Sequence, residues 1–357
     1  MLNLCITFDY ELFMGENFLP EDEVLIRPAD EIGEMLRDVG VCATFFADVC
    51  CPIRYRQLGK PGFPRQFDEQ LVRLHALGHD VQLHIHPNWL AATAVGETVR
   101  FDRETYRLHN WADGDNYEKV TQIILDGKKY LEDLLTADDP DYRCVAFRAG
   151  GYCIQPEQKI APSLRAAGLV IDSSVCCGFA HEGDGMSYDY RGFREPFNCR
   201  FSATVGFDAR STEETDGAIF EIPIGGFGRF PQRLIASRMN ASTRRDEPRG
   251  RSMSLEHGAA NRRLFHRLRN AAKAVNMLTL DSYNEKPMTY MLRSLAKHTK
   301  GDVYTAAIAH PKMMHEAQIA DMRAALLKLK NERNIRFVTM RECADLLRLT
   351  PDGRSDA

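Results

Sequence analysis

The sequence predicts an α/β protein organised on a parallel sheet, either a barrel or a doubly wound sheet. Two observations carry that expectation. Apolar runs of strand length alternate with stretches of helical periodicity along most of the chain, and polar residues of catalytic type recur where those strands end.

The first apolar run, residues 2–8, reads as a buried strand that leads directly into Asp9, Tyr10 and Glu11, with two carboxylates two residues apart. Ile32, Met35, Leu36 and Val39 then repeat at helical spacing, and Gly40 stops that helix before a second strand over 41–46. A helix over about 67–77 ends at Gly78. The strand after it closes on His84, Ile85, His86 and Pro87. Side chains at i and i+2 leave a strand on the same face, so His84 and His86 point together, and Pro87 ends the strand at its rim. A helix over about 117–135, with Val120, Ile123, Ile124, Leu131 and Leu134 on one side, precedes a strand over 144–147. A helix over about 157–167, closed by Gly168, leads to a short strand over 169–171. Later strands are expected over 218–223, 304–309 and 335–338. Ile319, Met322, Leu326 and Leu329 mark a helix between the last two, and a final helix spans about 341–349.

Length and composition bound the rest. A chain of 357 residues with ordinary apolar content and a net charge of −4 can bury a full core. These values exclude a disordered chain and a globally basic nucleic-acid binder. No basic n-region precedes the first apolar run, and no window holds the roughly 20 unbroken apolar residues of a membrane span, so a soluble cytoplasmic protein is expected. The ten cysteines show no Cys-x-x-Cys spacing and are read as reduced thiols. Residues 1–350 are read as one domain with an arginine-rich excursion at about 229–285, and 351–357 as a disordered polar tail. The excursion fits a solvated surface or a cradle for an anionic group such as a phosphate or lipid headgroup, which would allow peripheral contact with an anionic substrate or membrane.

Two carboxylates and two imidazoles at neighbouring strand ends would suit a divalent transition metal, with oxygen and nitrogen ligands and room for water. Each half also has a plainer reading, Asp9 and Glu11 as caps of the following segment and the histidines as a hydrogen-bonded strand end. Three further strand ends extend the pattern: Phe147-Arg148-Ala149-Gly150-Gly151-Tyr152, Asp172-Ser173-Ser174, and Ile308-Ala309-His310-Pro311. Trp89 and Trp111 follow the histidine strand, where they would either stack on a sugar ring or pack the loop down.

Together these residues resemble the polysaccharide deacetylases of the NodB-homology type, over most of the chain from Leu2 to about Leu349. Thr7-Phe8-Asp9 matches the opening of that family's first motif, Ala43-Thr44-Phe45-Phe46 its second strand, and Gly78-His79-Asp80-Val81 with His84 its metal-binding segment. Arg148 matches the motif arginine and His310 the late catalytic histidine. The chain departs from the pattern twice. Tyr10 occupies the family's second acidic position, which leaves Glu11 to supply the metal carboxylate, and Asn88 stands where the second histidine is usual. An amide oxygen is a poor transition-metal ligand beside an imidazole, so His86 is read as the replacement. A subset of the superfamily with His-x-His-Pro, often found with surface-polysaccharide or glycolipid genes, is the nearer match.

The resemblance implies a deformed (β/α) barrel with seven strands. It also implies a metal-dependent hydrolase that removes an N-acetyl group from an amino sugar in a polysaccharide or glycolipid intermediate. A divalent metal, Zn2+ first among the candidates, would be held by Glu11, His84 and His86. Asp9 would be the general base, oriented by Arg148, and His310 the general acid. Asp172 would orient His310 or another site group, and Trp89 and Tyr152 would join it in binding substrate. Cleavage of another C–N bond, in a formamide or cyclic amide, and a catalytically inactive carbohydrate-binding relative are the alternatives.

Overall fold

The computed structural model describes residues 1–95, 98–207, 218–229, 231–240, 247–252 and 275–350. Its framework is a nine-stranded sheet. The strands are β1 (Leu2–Tyr10), β2 (Thr44–Asp48), β3 (Asp80–Ile85), β4 (Ala146–Ala149), β5 (Ile171–Asp172), β6 (Cys199–Phe201), β7 (Ile219–Glu221), β8 (Val303–Ala309) and β9 (Ile335–Phe337). They run in the order β6-β7-β5-β4-β3-β2-β1-β8. β6 lies antiparallel to β7, and β9 pairs with the first half of β1. The strands from β7 to β8 are all parallel. The sheet curls until its ends meet. Beyond β7 the chain continues through Ile222 to Gly225, where Ala306 of β8 donates to the carbonyl of Pro223 and accepts from the amide of Gly225, both at 2.9 Å. The result is a deformed (β/α) barrel, as expected.

The two-residue period of each strand sorts side chains between two cores. Leu4, Ile6, Phe8 and Tyr10 of β1, Phe45 and Ala47 of β2, and Val81, Leu83 and Ile85 of β3 pack against the surrounding helices. Those helices include α1 (Arg27–Val39) and α3 (Gly62–Ala76). On the opposite face Cys5, Phe46, Ala146, Ala306 and Ile308 fill the barrel interior. By the same parity Asp9, Asp48, His84 and Arg148 belong to the interior set, at the C-terminal ends of their strands.

The remaining helices are α2 (Cys50–Gln57), α4 (Glu118–Leu135), α5 (Glu157–Ala166), α6 (Gln232–Met239), α7 (Glu285–His298), α8 (Glu316–Leu329) and α9 (Met340–Leu346). Several element ends differ from expectation for identifiable reasons. β2 begins at Thr44 because the Ala43 amide donates to the His79 Nδ1 at 3.3 Å instead of to a neighbouring strand, and Cys42 is exposed. α3 begins five residues early, since Pro64 sits in its first turn, where a missing amide costs nothing. α2 was not anticipated. Among the described residues all ten cysteines are free, and no helix is long and apolar enough to cross a membrane. The tail at 351–357 and most of the arginine-rich stretch lie outside the described residues. In the described part of that stretch, Gly250–Ser252 pairs antiparallel with Gly15–Asn17. Arginines of this part are engaged within the protein, among them Arg229 by Glu195, Arg249 by the carbonyl of Met314, and Arg251 by Glu16.

Candidate active site

Arg148, at the end of β4, is fully buried, held by Ser173 on one side and bonded to β1 on the other. Its Nη1 donates to Asp9 Oδ1 at 2.5 Å, its Nη2 to Thr7 Oγ1 at 3.1 Å and Ser173 Oγ at 2.9 Å, and its Nε to the Ser173 carbonyl at 2.8 Å. The guanidinium also lies 4.1 Å over the ring of Phe46. Burial pushes the Asp9 carboxyl up, but the charges of Arg148, His84 and His310 outweigh it and leave the group below its ordinary value.

Glu11, His84 and His86 are brought together, with one ligand atom from each lying within 4.8 Å of the others. Glu11 Oε2 is 2.6 Å from His86 Nε2 and 3.2 Å from His84 Nε2. The two imidazoles meet edge to face at 4.7 Å. Tyr10, between the two carboxylates in sequence, points the other way, into the helix layer, where it packs on Phe67 and donates to Gln70. That parity is why the residue after it, not Tyr10's own position, supplies the second carboxylate. Asn88 does not join the trio. It is buried in the turn Pro87–Ala91, and neither atom of its amide has a hydrogen-bond partner.

The donor chemistry fits a transition metal. His84 Nδ1 lies 2.8 Å from the Arg148 carbonyl, which can only accept, so Nδ1 carries the proton. The Nε2 lone pair then faces two carboxylates, Glu11 at 3.2 Å and Asp9 at 3.8 Å. Opposed lone pairs demand a proton or a metal between them. Without metal the proton wins: burial disfavours the imidazolium, but Asp9 and Glu11 raise His84 to about 9. Burial likewise pushes Glu11 up, yet Lys312, His86 and the hydrogen bonds of both histidines hold it well below the usual range. A carbonyl fixing the distal nitrogen of a ligating histidine is the customary support for such a site.

His310, about one-fifth exposed, closes the group from β8. Its Nε2 is 3.8 Å from Asp9 Oδ2 and 4.0 Å from Glu11 Oε1, and its Nδ1 meets Asp281 Oδ2 at 2.9 Å. Burial lowers its pKa, but the Asp281 bond and charge, with Asp9 and Glu11, raise it above the ordinary value overall. Asp281 is the partner that Asp172 was expected to be. Asp172 stands one residue before Ser173, so when Ser173 faces Arg148 the Asp172 side chain takes the other face of β5. There it accepts from Ser174 Oγ at 2.7 Å and shares a buried carboxyl pair with Glu221, whose pKa burial and the Asp172 charge raise well above normal.

Of the other expected site residues, Tyr152 lies close enough for Asp9 to raise its phenol further, after burial. Trp89 is fully buried between Tyr55 and Phe101 and presents no face to a ligand. Three site residues were not anticipated. Asp281 and Lys312 carry no local signal. Lys312 is buried and donates to Glu11 Oε1 at 2.7 Å. Asp48 was legible by parity, since it pairs in register with His84. Its Oδ1 accepts from the His86 amide at 3.2 Å, and burial lifts its pKa to about 6, against the pull of both histidines.

No family model matches the chain, and no curated protein matches it. Solved structures with a similar fold include proteins described as polysaccharide deacetylases from Mycobacterium smegmatis and Pseudomonas aeruginosa. The first is 13% identical, with 98% of this chain and 92% of that one covered at a TM-score of 0.47. The second is 10% identical, with 96% and 89% covered at 0.48. Puue allantoinase is 10% identical, with 96% and 88% covered at 0.45. In fold this chain is similar to polysaccharide deacetylases and to an allantoinase.

Proposed function

We propose that this protein is a metal-dependent hydrolase of a C–N bond that removes an N-acyl group from an amino sugar in a saccharide or glycolipid. The observation that carries the reading is the convergence of a buried base–arginine pair, a Glu-His-His donor set whose ligand atoms lie within 4.8 Å of one another, and a histidine backed by a carboxylate.

A divalent metal, with Zn2+ the best match to one carboxylate and two imidazoles, would be held by Glu11, His84 and His86 and would supply Lewis acidity and a more acidic bound water. Asp9 accepts the proton of the attacking water. Arg148 keeps that carboxylate ionised and leaves Oδ2 free, because the guanidinium occupies Oδ1. His310 donates its Nε2 proton to the departing amine, while Asp281 holds Nδ1–H and so fixes the tautomer. Acid and base act from neighbouring strands, β8 and β1, on one substrate group. Tyr152, close enough to feel the Asp9 charge, would bind substrate beside it.

The test is amine release from N-acetylated amino-sugar oligomers by metal-loaded protein, with N-formyl sugars and a cyclic amide run in parallel. Asp9→Asn and His310→Ala should each retain metal and lose about 10²–10⁴ in kcat, the usual contribution of a general acid or base. Turnover of the cyclic amide alone would move the assignment to another C–N bond. Absence of turnover on every substrate would overturn the hydrolase and favour an inactive carbohydrate-binding relative.

A further inference from the structure

Lys312 follows the acid histidine by two residues, yet its side chain turns inward and is only 5% exposed. Its ammonium donates to Glu11 Oε1 at 2.7 Å and to the Leu12 carbonyl at 3.1 Å, and it lies 5.0 Å from the centre of the Phe13 ring. A buried lysine held by two acceptors and an aromatic face is costly to desolvate and is not a solvated surface charge. The two oxygens of Glu11 are thereby divided. Oε1 belongs to Lys312, and Oε2 alone faces His86 at 2.6 Å and His84 at 3.2 Å.

We propose that Lys312 is a positioning residue that restricts Glu11 to one metal-facing oxygen and holds down the site's affinity for a divalent cation. The inference rests on the reading of Glu11, His84 and His86 as metal ligands. Arg148 pairs with Asp9 and Lys312 pairs with Glu11, so neither of these carboxylates offers an uncompensated charge to an arriving metal. A dication held there would draw less Coulomb attraction from Glu11 than from an unpaired carboxylate, because the fixed ammonium of Lys312 offsets that charge. A metal held by one Glu11 oxygen beside a cation keeps more of its polarising power for water and substrate. Removing the ammonium would release Oε1 toward a bound metal and leave the Glu11 charge uncompensated.

The experiment is metal competition against a chromophoric chelator at pH 8, with Zn2+ as the probe, on wild type, Lys312→Met, Lys312→Gln and Lys312→Arg, each checked for fold by thermal unfolding. The expected result is a Kd roughly tenfold or more lower in Lys312→Met and Lys312→Gln, with Lys312→Arg near wild type because it keeps the charge. A lysine that merely supports Glu11 would give the opposite, weaker binding on neutral substitution. If wild type binds one metal and the folded neutral variants bind no more tightly, this proposal falls and the metal site stands. If wild type is empty and the neutral variants load, Lys312 excludes the metal outright and the proposal holds. If neither wild type nor any variant binds metal, the metal-site reading and the proposal fall together.

Discussion

His310 owes its raised pKa to its partners, since burial alone would drive it down. The imidazolium therefore persists above the usual pH, which suits the general-acid role proposed for it. The sign follows directly. A raised folded value favours the folded state fully below the unfolded histidine value, and that contribution is lost as pH rises through the folded one. Asp281→Asn removes the charge and weakens the bond to Nδ1, so the His310 Cε1–H resonance should titrate at lower pH, with any basic limb of activity moving the same way. An unchanged midpoint in an NMR titration would contradict that role for Asp281. At this scale much of the site was legible in the sequence. Asp9, Glu11, His84, His86, Arg148 and His310 all stand at predicted strand ends, and two of the pairs share strand parity. Asp281 and Lys312 were not legible, because their partners lie 29 and 301 residues away and no local pattern announces such contacts. Asp172 was misassigned for want of one residue of register, which in a strand exchanges the two faces.

The strands carry chemistry because one face of each meets helices and the other meets the barrel interior. Tyr10 shows the constraint most plainly: it is buried on the helix side of β1, so the carboxylates two residues apart on either side of it share the interior. The turn after β4 adds a second constraint. A Cβ on Gly150 would stand 2.6 Å from His86 Nδ1 and 2.7 Å from the Ile85 carbonyl, closer than real Cβ atoms approach. Gly150→Ala should therefore displace the His86 ring, weakening metal binding by about 10- to 100-fold, as loss of ligand support usually does. It should also cost about 1–3 kcal/mol of stability through overpacking. Metal competition together with urea unfolding reads both effects, and wild-type values in both would refute the packing argument. Element order was well predicted from periodicity, while ends shifted where side chains substituted for backbone partners, as His79 does ahead of β2, or where proline marked a helix start instead of a break. Trp89, expected beside substrate, instead packs between Tyr55 of α2 and Phe101, a tertiary demand that its position in sequence did not reveal.

For the molecule as a whole, alternation of strand and helix left a barrel and a doubly wound sheet equally open, and the family resemblance favoured the barrel. Closure depends on Pro223 and Gly225 bonding to Ala306, an irregular link without sequence periodicity. The direct pairing of β8 with β1 completes the site, because it brings His310 and Lys312 within reach of carboxylates some 300 residues earlier. The central claim is that the parallel run of β1, β2 and β3 assembles one metal centre from Glu11, His84 and His86, with Asn88 outside it. Elemental analysis of purified protein tests it most directly, on wild type and on Glu11→Gln, His84→Ala, His86→Ala and Asn88→Ala. Gln is chosen at position 11 because Ala would leave the Lys312 ammonium buried and unpaired. The account predicts about one metal per chain in wild type and Asn88→Ala and a loss in the other three. Protein that stays metal-free after supplementation, or metal that survives all three ligand substitutions, would contradict it.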